Sequence, residues 1–154
     1  PTNTSINYIK RVVGLPGDSI QMKLGKLYIN KKIVNQIEDG KYKHIYKRVF
    51  EQNMDKYTET LENGKNYSVL NINNFQILDN TKEFVVPANN YFVMGDNRDN
   101  SLDSRANGGW FVPFENFVGK GNFIFFSISG DTKFWEFWRW PFNIRYDRIF
   151  KKIT

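Results

Sequence analysis

Short runs of β-branched and aromatic residues, each closed by turn-forming residues, constrain this chain more than any other feature. Residues 8–13 (YIKRVV) end at residues 14–18 (GLPGD), and Asn63-Gly64 separates two alternating segments. Clusters of Gly, Pro, Asn and Asp form turns, and Asn-Gly is a strong hairpin signal. The sequence contains no internal repeat and no pattern typical of a long helix. It therefore predicts a mainly β fold built from hairpins.

The predicted strands are short and closely spaced, which favours antiparallel or mixed sheets. They cover residues 8–13, 19–23, 26–30, 33–35, 67–72, 84–86, 91–94 and 118–129. A long polar segment, residues 42–62, is predicted to pair across the Asn-Gly turn with residues 67–72. Residues 112–116 are predicted to form one helical turn.

The composition excludes several kinds of chemistry. A chain of 154 residues that is 40% hydrophobic and 25% charged is typical of one globular domain. The absence of cysteine excludes disulfides and cysteine-bound zinc. The only histidine, His44, occupies an outward strand position by alternation, so histidine-dependent catalysis is not predicted. A net charge of +6 attracts anionic surfaces, either nucleic acid or lipid.

Lys10 lies in the first predicted strand. Side chains alternate along a strand, so Lys10 shares a face with Tyr8 and Val12, whereas Arg11 points the opposite way. A lysine on an apolar face either extends its amine to water or holds it neutral for chemistry. The local sequence favours the first reading and leaves the second open.

Residues 95–105 (GDNRDNSLDSR) are dense in Asp, Asn and Ser. These side chains hydrogen-bond to nearby backbone and form compact turns. The rhythm of a calcium-binding loop fails because Arg98 occupies a ligand position and the turn lacks its glycine. The segment is therefore predicted to be an ordered loop without a metal.

Together, residues 8–18 and 95–105 resemble two signature boxes of the bacterial type I signal peptidases, which are Ser/Lys endopeptidases. The boxes occur in the family's order, and the resemblance is sharp in them and looser over the rest of the chain. It implies a single partial catalytic domain over residues 1–154, with residues 20–86 as a β-rich insertion or cap. It implies no cofactor and no metal.

The resemblance also implies a role for individual residues. Lys10 would be the general base, and Ser101 would orient it. Tyr8, Ile9 and Gly95 would bind substrate. Asp103 and Arg105 would form a structural ion pair. A lysine base suits a chain without an available histidine, because a neutral amine can take the proton of a nucleophilic serine.

The family's nucleophilic serine and its oxyanion hole belong to an earlier box that follows a membrane anchor. That box is expected before Pro1, since Thr4 and Ser5 lie too close to the lysine strand in the wrong local sequence. We therefore expect the 154 residues alone to be inactive.

The resemblance implies signal-peptide-bearing preproteins as substrates, cut after small residues. It places the catalytic domain on the extracytoplasmic (periplasmic) face of the bacterial inner membrane. The aromatic stretch with Trp135, Trp138 and Trp140 is predicted to meet the membrane surface, where tryptophan rings lie at headgroup level. No nucleic acid is expected as a partner.

Two other readings stay open. Self-cleaving Ser/Lys repressors share the catalytic core, but the extended 95–105 box and the lack of a DNA-binding helical domain argue against them. A basic nucleic-acid-binding β-barrel needs cationic and aromatic residues on one sheet face. Here the densest aromatics lie in one irregular stretch that contains Pro141.

Overall fold

The computed structural model describes residues 6–46, 50–128 and 135–153. The strands are β1 (Arg11–Gly14), β2 (Ser19–Lys23), β3 (Lys26–Ile29), β4 (Lys32–Ile33), β5 (Asn35–Tyr46), β6 (Phe50–Thr60), β7 (Asn66–Asn71), β8 (Phe84–Val85), β9 (Asn90–Met94) and β10 (Val112–Pro113). Short 3-10 turns lie at Ile77–Asp79, Phe114–Asn116, Phe137–Arg139 and Tyr146–Arg148, with one α-helical turn, α1, at Trp140–Asn143. The predicted mainly β fold is confirmed.

The strands form three sheets, with the orders β1-β9-β10, β4-β3-β2-β8 and β5-β6-β7. The first sheet pairs β1, which belongs to residues 8–18, with β9, which leads into residues 95–105. In its antiparallel register, Arg11 lies opposite Met94. Lys10 and Gly95 directly flank this pair, so the end of the β1–β9 ladder brings the two boxes together.

The core lies between the first two sheets. Its fully buried members include Ile20, Met22 and Phe92. Gly14 allows the sheets to approach closely, since a Cβ there would lie 2.9 Å from Ile20 and 3.0 Å from the Phe92 Cβ. Real Cβ atoms are not found so close to other heavy atoms, so a larger residue at position 14 would separate the sheets.

The β6–β7 hairpin pairs as the Asn-Gly signal predicts. Its register places Glu59 opposite Tyr67, and both side chains are buried. Strand β7 then continues beside the 95–105 loop. The Leu70 amide donates to the Asp96 carbonyl, and the Arg98 amide donates to the Leu70 carbonyl, both at 2.8 Å.

The chain divides into two compact units. The first contains the described residues of Pro1–Tyr42 and Asn53–Val118, and the second those of Lys43–Gln52 and Gly119–Thr154. Within the second unit, Phe123 bridges to Lys152 and Ile128 to Ile144. No helix in the described ranges has both the length and the apolar character needed to cross a bilayer.

Several element boundaries differ from the predictions. Strand β1 begins at Arg11 because the ladder ends at the Arg11–Met94 pair, so residues 8–10 have no ladder partner on β9. The long polar segment belongs to two strands, β5 and β6, rather than one.

The strand predicted over residues 118–129 is wrong. Its aromatic and β-branched residues favour a strand, but between residues 118 and 128 only two isolated bridges form. A strand needs a continuous partner, and residues 144–153 supply hydrogen bonds only at intervals. The predicted turn at residues 112–116 is present in part, as the 3-10 turn Phe114–Asn116.

Candidate active site

The Lys10 amine and the Ser101 hydroxyl meet beyond the end of the β1–β9 ladder. The Lys10 Nζ donates a hydrogen bond of 2.7 Å to the Ser101 Oγ. Lys10 is half-buried, and Ser101 is only 9% exposed. The bond therefore fixes the position of the Lys10 amine relative to the Ser101 side chain.

Gly95 forms one wall of this pair. A Cβ built on Gly95 would lie 2.1 Å from the Ser101 Oγ and 3.5 Å from the Lys10 Nζ. The glycine therefore allows the backbone to approach both side chains. It also lies against the Ser101 hydroxyl, close to the amine that is bonded to it.

Asp103 and Arg105 form a buried ion pair that stabilises the 95–105 loop. Arg105 Nε and Nη2 donate to the two carboxylate oxygens of Asp103, each at 2.9 Å, and both side chains are fully buried. The Gly95 amide donates to the same carboxylate at 3.0 Å. Burial raises the pKa of Asp103, but the Arg105 guanidinium and these N–H donors outweigh it and hold the pKa below its usual value. Asp103 is thus a charged anchor for Gly95.

Arg11 ties the lysine strand to the loop. Its Nε and Nη2 donate to the Asp96 carboxylate at 2.8 and 2.9 Å. Its guanidinium also lies over the ring of Tyr67, 3.9 Å from the centroid. Neither partner of Arg11 was predicted from the sequence.

Tyr8 and Ile9 are exposed, at 51% and 89%. They lead into β1, which is an edge strand of its sheet. An edge strand has an unpaired row of backbone donors and acceptors on its outer side, to which an extended peptide can add as a further strand.

The strand face that alternation assigns to Lys10 is open to solvent. Tyr8 and Val12, its predicted neighbours on that face, are 51% and 36% exposed. Residue 10 precedes the regular strand, which begins at Arg11. The surroundings of the amine come instead from the 95–105 loop, 91 positions away in the sequence.

Some sequence predictions fall where the structure gives no side-chain description. His44 is described only as a backbone position in β5, and Thr4 and Ser5 lie outside the described residues. Within the described residues, no three acidic or histidine side chains are grouped to hold a metal ion.

The chain is similar to several known proteins. Residues 1–126 match the family described as Signal peptidase, peptidase S26. Signal peptidase I of Rickettsia typhi is 39% identical over 99% of this chain and 62% of its own length. Signal peptidase I of Rickettsia bellii is 38% identical over 99% of this chain and 56% of its own length. The crystal structure of a signal peptidase I from Enterococcus faecalis V583 is 26% identical, covers 71% of this chain and 78% of that chain, and has a TM-score of 0.38.

The chain belongs to the signal peptidase family. It spans about three fifths of the length of the curated relatives that it matches (62% and 56%). The matches do not favour the alternative of a nucleic-acid-binding module.

Proposed function

We propose that this chain supplies the general base of a Ser/Lys endopeptidase that removes signal peptides from secreted preproteins after small residues. The observation that carries the proposal is the 2.7 Å bond between Lys10 and Ser101, formed by the two boxes that resemble the family's signatures. Family membership over residues 1–126 supports the reaction class.

Lys10 is the base in this proposal, and Ser101 is its orienting partner rather than the nucleophile. The Ser101 hydroxyl is bonded to the amine, is almost buried and is enclosed by Gly95. An attacking oxygen must reach a substrate carbonyl, which this enclosure does not favour. We therefore propose that the nucleophilic serine comes from outside the described residues.

The chemical steps follow from a neutral amine. The nucleophilic hydroxyl transfers its proton to Lys10 as its oxygen bonds to the scissile carbonyl carbon. The resulting ammonium gives that proton to the leaving nitrogen as the peptide bond breaks. Water then attacks the acyl carbonyl carbon and gives a proton to Lys10. Lys10 returns that proton to the serine oxygen as the ester bond breaks, which releases the product carboxyl group and restores the neutral amine.

The substrate is proposed to bind as an extended strand along the edge of β1. Tyr8 and Ile9 are exposed there, and β1 leads directly from Lys10. Backbone hydrogen bonds to an edge strand give affinity without sequence demands. Small pockets beside that strand would then select the small residues of a signal peptide.

The test is cleavage of a signal-peptide substrate by the full-length protein and its Lys10→Met variant. We expect cleavage after a small residue by the wild type and a loss of roughly 100-fold or more in kcat in the variant. Lys10→Arg, which keeps the charge but cannot accept a proton, is the matched variant and should be equally inactive. Near-normal turnover by Lys10→Arg would rule out the general-base role.

We also propose that the second unit contacts the extracytoplasmic face of the bacterial inner membrane through its aromatic residues. Trp135 and Trp138 are 67% and 61% exposed. Trp140 is half-buried, and its ring lies 5.1 Å from that of Phe126. Exposed tryptophans favour the headgroup region.

Vesicles containing anionic lipid provide the test of this surface. Trp138→Ala should weaken binding of the full-length protein to such vesicles, while Phe75→Ala, which removes an exposed ring of the first unit, should not. Equal binding by wild type and Trp138→Ala would contradict the proposed membrane contact.

A further inference from the structure

A buried polar cluster in the β6–β7 hairpin lies against the 95–105 loop. Glu59 is fully buried, and Tyr67 and Arg98 are each 2% exposed. The Glu59 carboxylate accepts a hydrogen bond of 2.7 Å from the Tyr67 hydroxyl and forms an ion pair with Arg98. The carboxylate is thus held between a donor from its own hairpin and a cation from the loop.

The electrostatics of the cluster keep both donors protonated. Burial raises the pKa of Tyr67, and the neighbouring Glu59 raises it further. Burial disfavours the charge of Arg98, but the charge of Glu59 outweighs it and raises the pKa of Arg98. Tyr67 and Arg98 therefore both remain hydrogen-bond donors over the ordinary pH range.

From Arg98 the contacts continue to the wall of the active site. The Arg98 carbonyl accepts a bond of 2.5 Å from Arg105, which is paired with Asp103. Asp103 in turn accepts the Gly95 amide. A displacement of Arg98 would therefore be transmitted to the backbone that encloses Ser101.

Tyr67 also reaches the lysine strand. Its ring lies under the Arg11 guanidinium at 3.9 Å, a cation–π contact. Arg11 directly follows Lys10 and is bonded to Asp96. One side chain of the hairpin therefore touches the residue beside the amine, and its partner Glu59 holds the loop that carries Ser101.

We propose that Glu59 and Tyr67 are positioning residues, through which the β6–β7 hairpin sets the geometry of the Lys10–Ser101 pair. This inference rests on the proposed function of that pair. It gives the predicted insertion a part in the reaction, although neither residue touches substrate or reacting atoms. Active-site geometry is demanding, since a displacement of about 1 Å can reduce turnover roughly 100-fold.

The first test compares Glu59→Gln with Glu62→Gln in the full-length protein. Glu59→Gln keeps the shape of the side chain but removes the charge that faces Arg98. We expect kcat to fall about 10- to 100-fold with KM nearly unchanged, because the substrate strand is not involved. Glu62 forms an exposed ion pair with Lys32 and is the matched control, so Glu62→Gln should keep wild-type kcat.

A second pair of variants separates the two contacts of Tyr67. Tyr67→Phe removes the donor to Glu59 and keeps the ring under Arg11, so its loss in kcat should be smaller than that of Glu59→Gln. Tyr57→Phe, on the same hairpin, is the control and should leave kcat unchanged.

Stability is separated from positioning by the triple variant Glu59→Leu, Tyr67→Phe and Arg98→Met. Replacing both members of a buried ion pair by apolar residues is often neutral or stabilising, and Tyr67→Phe removes the hydroxyl that would otherwise be left without an acceptor. The triple variant should therefore melt near the wild-type temperature but remain slow. Wild-type kcat in this stable triple variant would overturn the inference.

Amide hydrogen exchange at Gly95 provides a readout that does not depend on activity. Faster exchange in Glu59→Gln, but not in Glu62→Gln, supports the connection from hairpin to active site. Unchanged Gly95 exchange would overturn it. Failure of the proposed function has a different signature, because the wild type would then not cleave, or Lys10→Met would cleave as well as the wild type.

Discussion

Replacing Gly95 by alanine tests the site geometry most directly. The added methyl would lie 2.1 Å from the Ser101 Oγ and 2.5 Å from the Ser101 Cβ. Ordinary van der Waals contact begins near 3.4 Å, so Ser101 or the Gly95 backbone must move by roughly 1 Å. The backbone of Gly95 is not in the left-handed region, so the whole effect is steric.

The expected size follows from that displacement. Moving a catalytic partner by about 1 Å costs on the order of 100-fold in turnover, equivalent to about 2.7 kcal/mol of barrier. Overpacking of a tightly packed site costs a further ~1–3 kcal/mol of folding stability. The Gly95→Ala protein should therefore fold, melt at a lower temperature and turn over slowly.

The assay is kcat and thermal melting of the full-length Gly95→Ala protein beside Gly119→Ala. Gly119 has no heavy atom within 4 Å of a built Cβ and no left-handed φ, so its variant should match the wild type. Adding Ser101→Gly to Gly95→Ala removes both atoms that clash and should restore stability but not activity. If Gly95→Ala alone retained wild-type kcat, the close approach of Gly95 to the Lys10–Ser101 pair would be wrong.

Two further predictions concern the loop. Ser101→Ala should lower kcat about 10-fold, less than Lys10→Met, because it removes one hydrogen bond that orients the base but keeps the base. Asp103 should make the fold sensitive to acid. Its pKa is lower in the folded state than its unfolded value near 3.9, so its contribution to stability is present above about pH 4 and is lost as pH falls through the folded value. Urea unfolding over a pH series should show this slope in the wild type, and Asp103→Asn should lack it and be ~3–5 kcal/mol less stable at neutral pH. An identical acid slope in Asp103→Asn would contradict this role.

Local patterns predicted the strands well where the partner is close in sequence. Residues 19–23 and 26–30 alternate around a Leu-Gly turn, and they pair as β2 and β3, with Met22 opposite Leu27. The Asn-Gly signal likewise predicted the β6–β7 hairpin. Local pairing depends on turn chemistry that a single sequence displays.

Alternation was misleading where the environment is set by distant residues. Residues 118–128 have the composition of a strand, but a strand requires a continuous partner that no local pattern reveals. Lys10 was assigned apolar neighbours from its own segment, whereas its observed partner is Ser101. The resemblance to signature boxes predicted that pairing, and periodicity alone did not.

The polar cluster around Glu59 was not predicted at all. A glutamate on a polar, alternating strand is ordinarily a solvent-facing residue, and only the pairing of Glu59 with Tyr67 and Arg98 makes it buried. Such a cluster combines three segments, so each member is unremarkable in its own segment. A buried ion pair becomes visible only once the tertiary structure brings its partners together.

The β1–β9 ladder explains why side-chain ties are needed at this site. Backbone pairing fixes the register as far as Arg11 and Met94 and ends there. Lys10 and Gly95 lie one residue beyond, outside the paired strand residues. Side-chain contacts hold the chain on either side of these two residues. They are the Arg11–Asp96 bond, the Asp103–Gly95 bond and the contact of Tyr67 with Arg11. The geometry of the Lys10–Ser101 pair therefore depends on charged side chains outside the pair, and this is why substitutions that leave both residues intact are expected to change turnover.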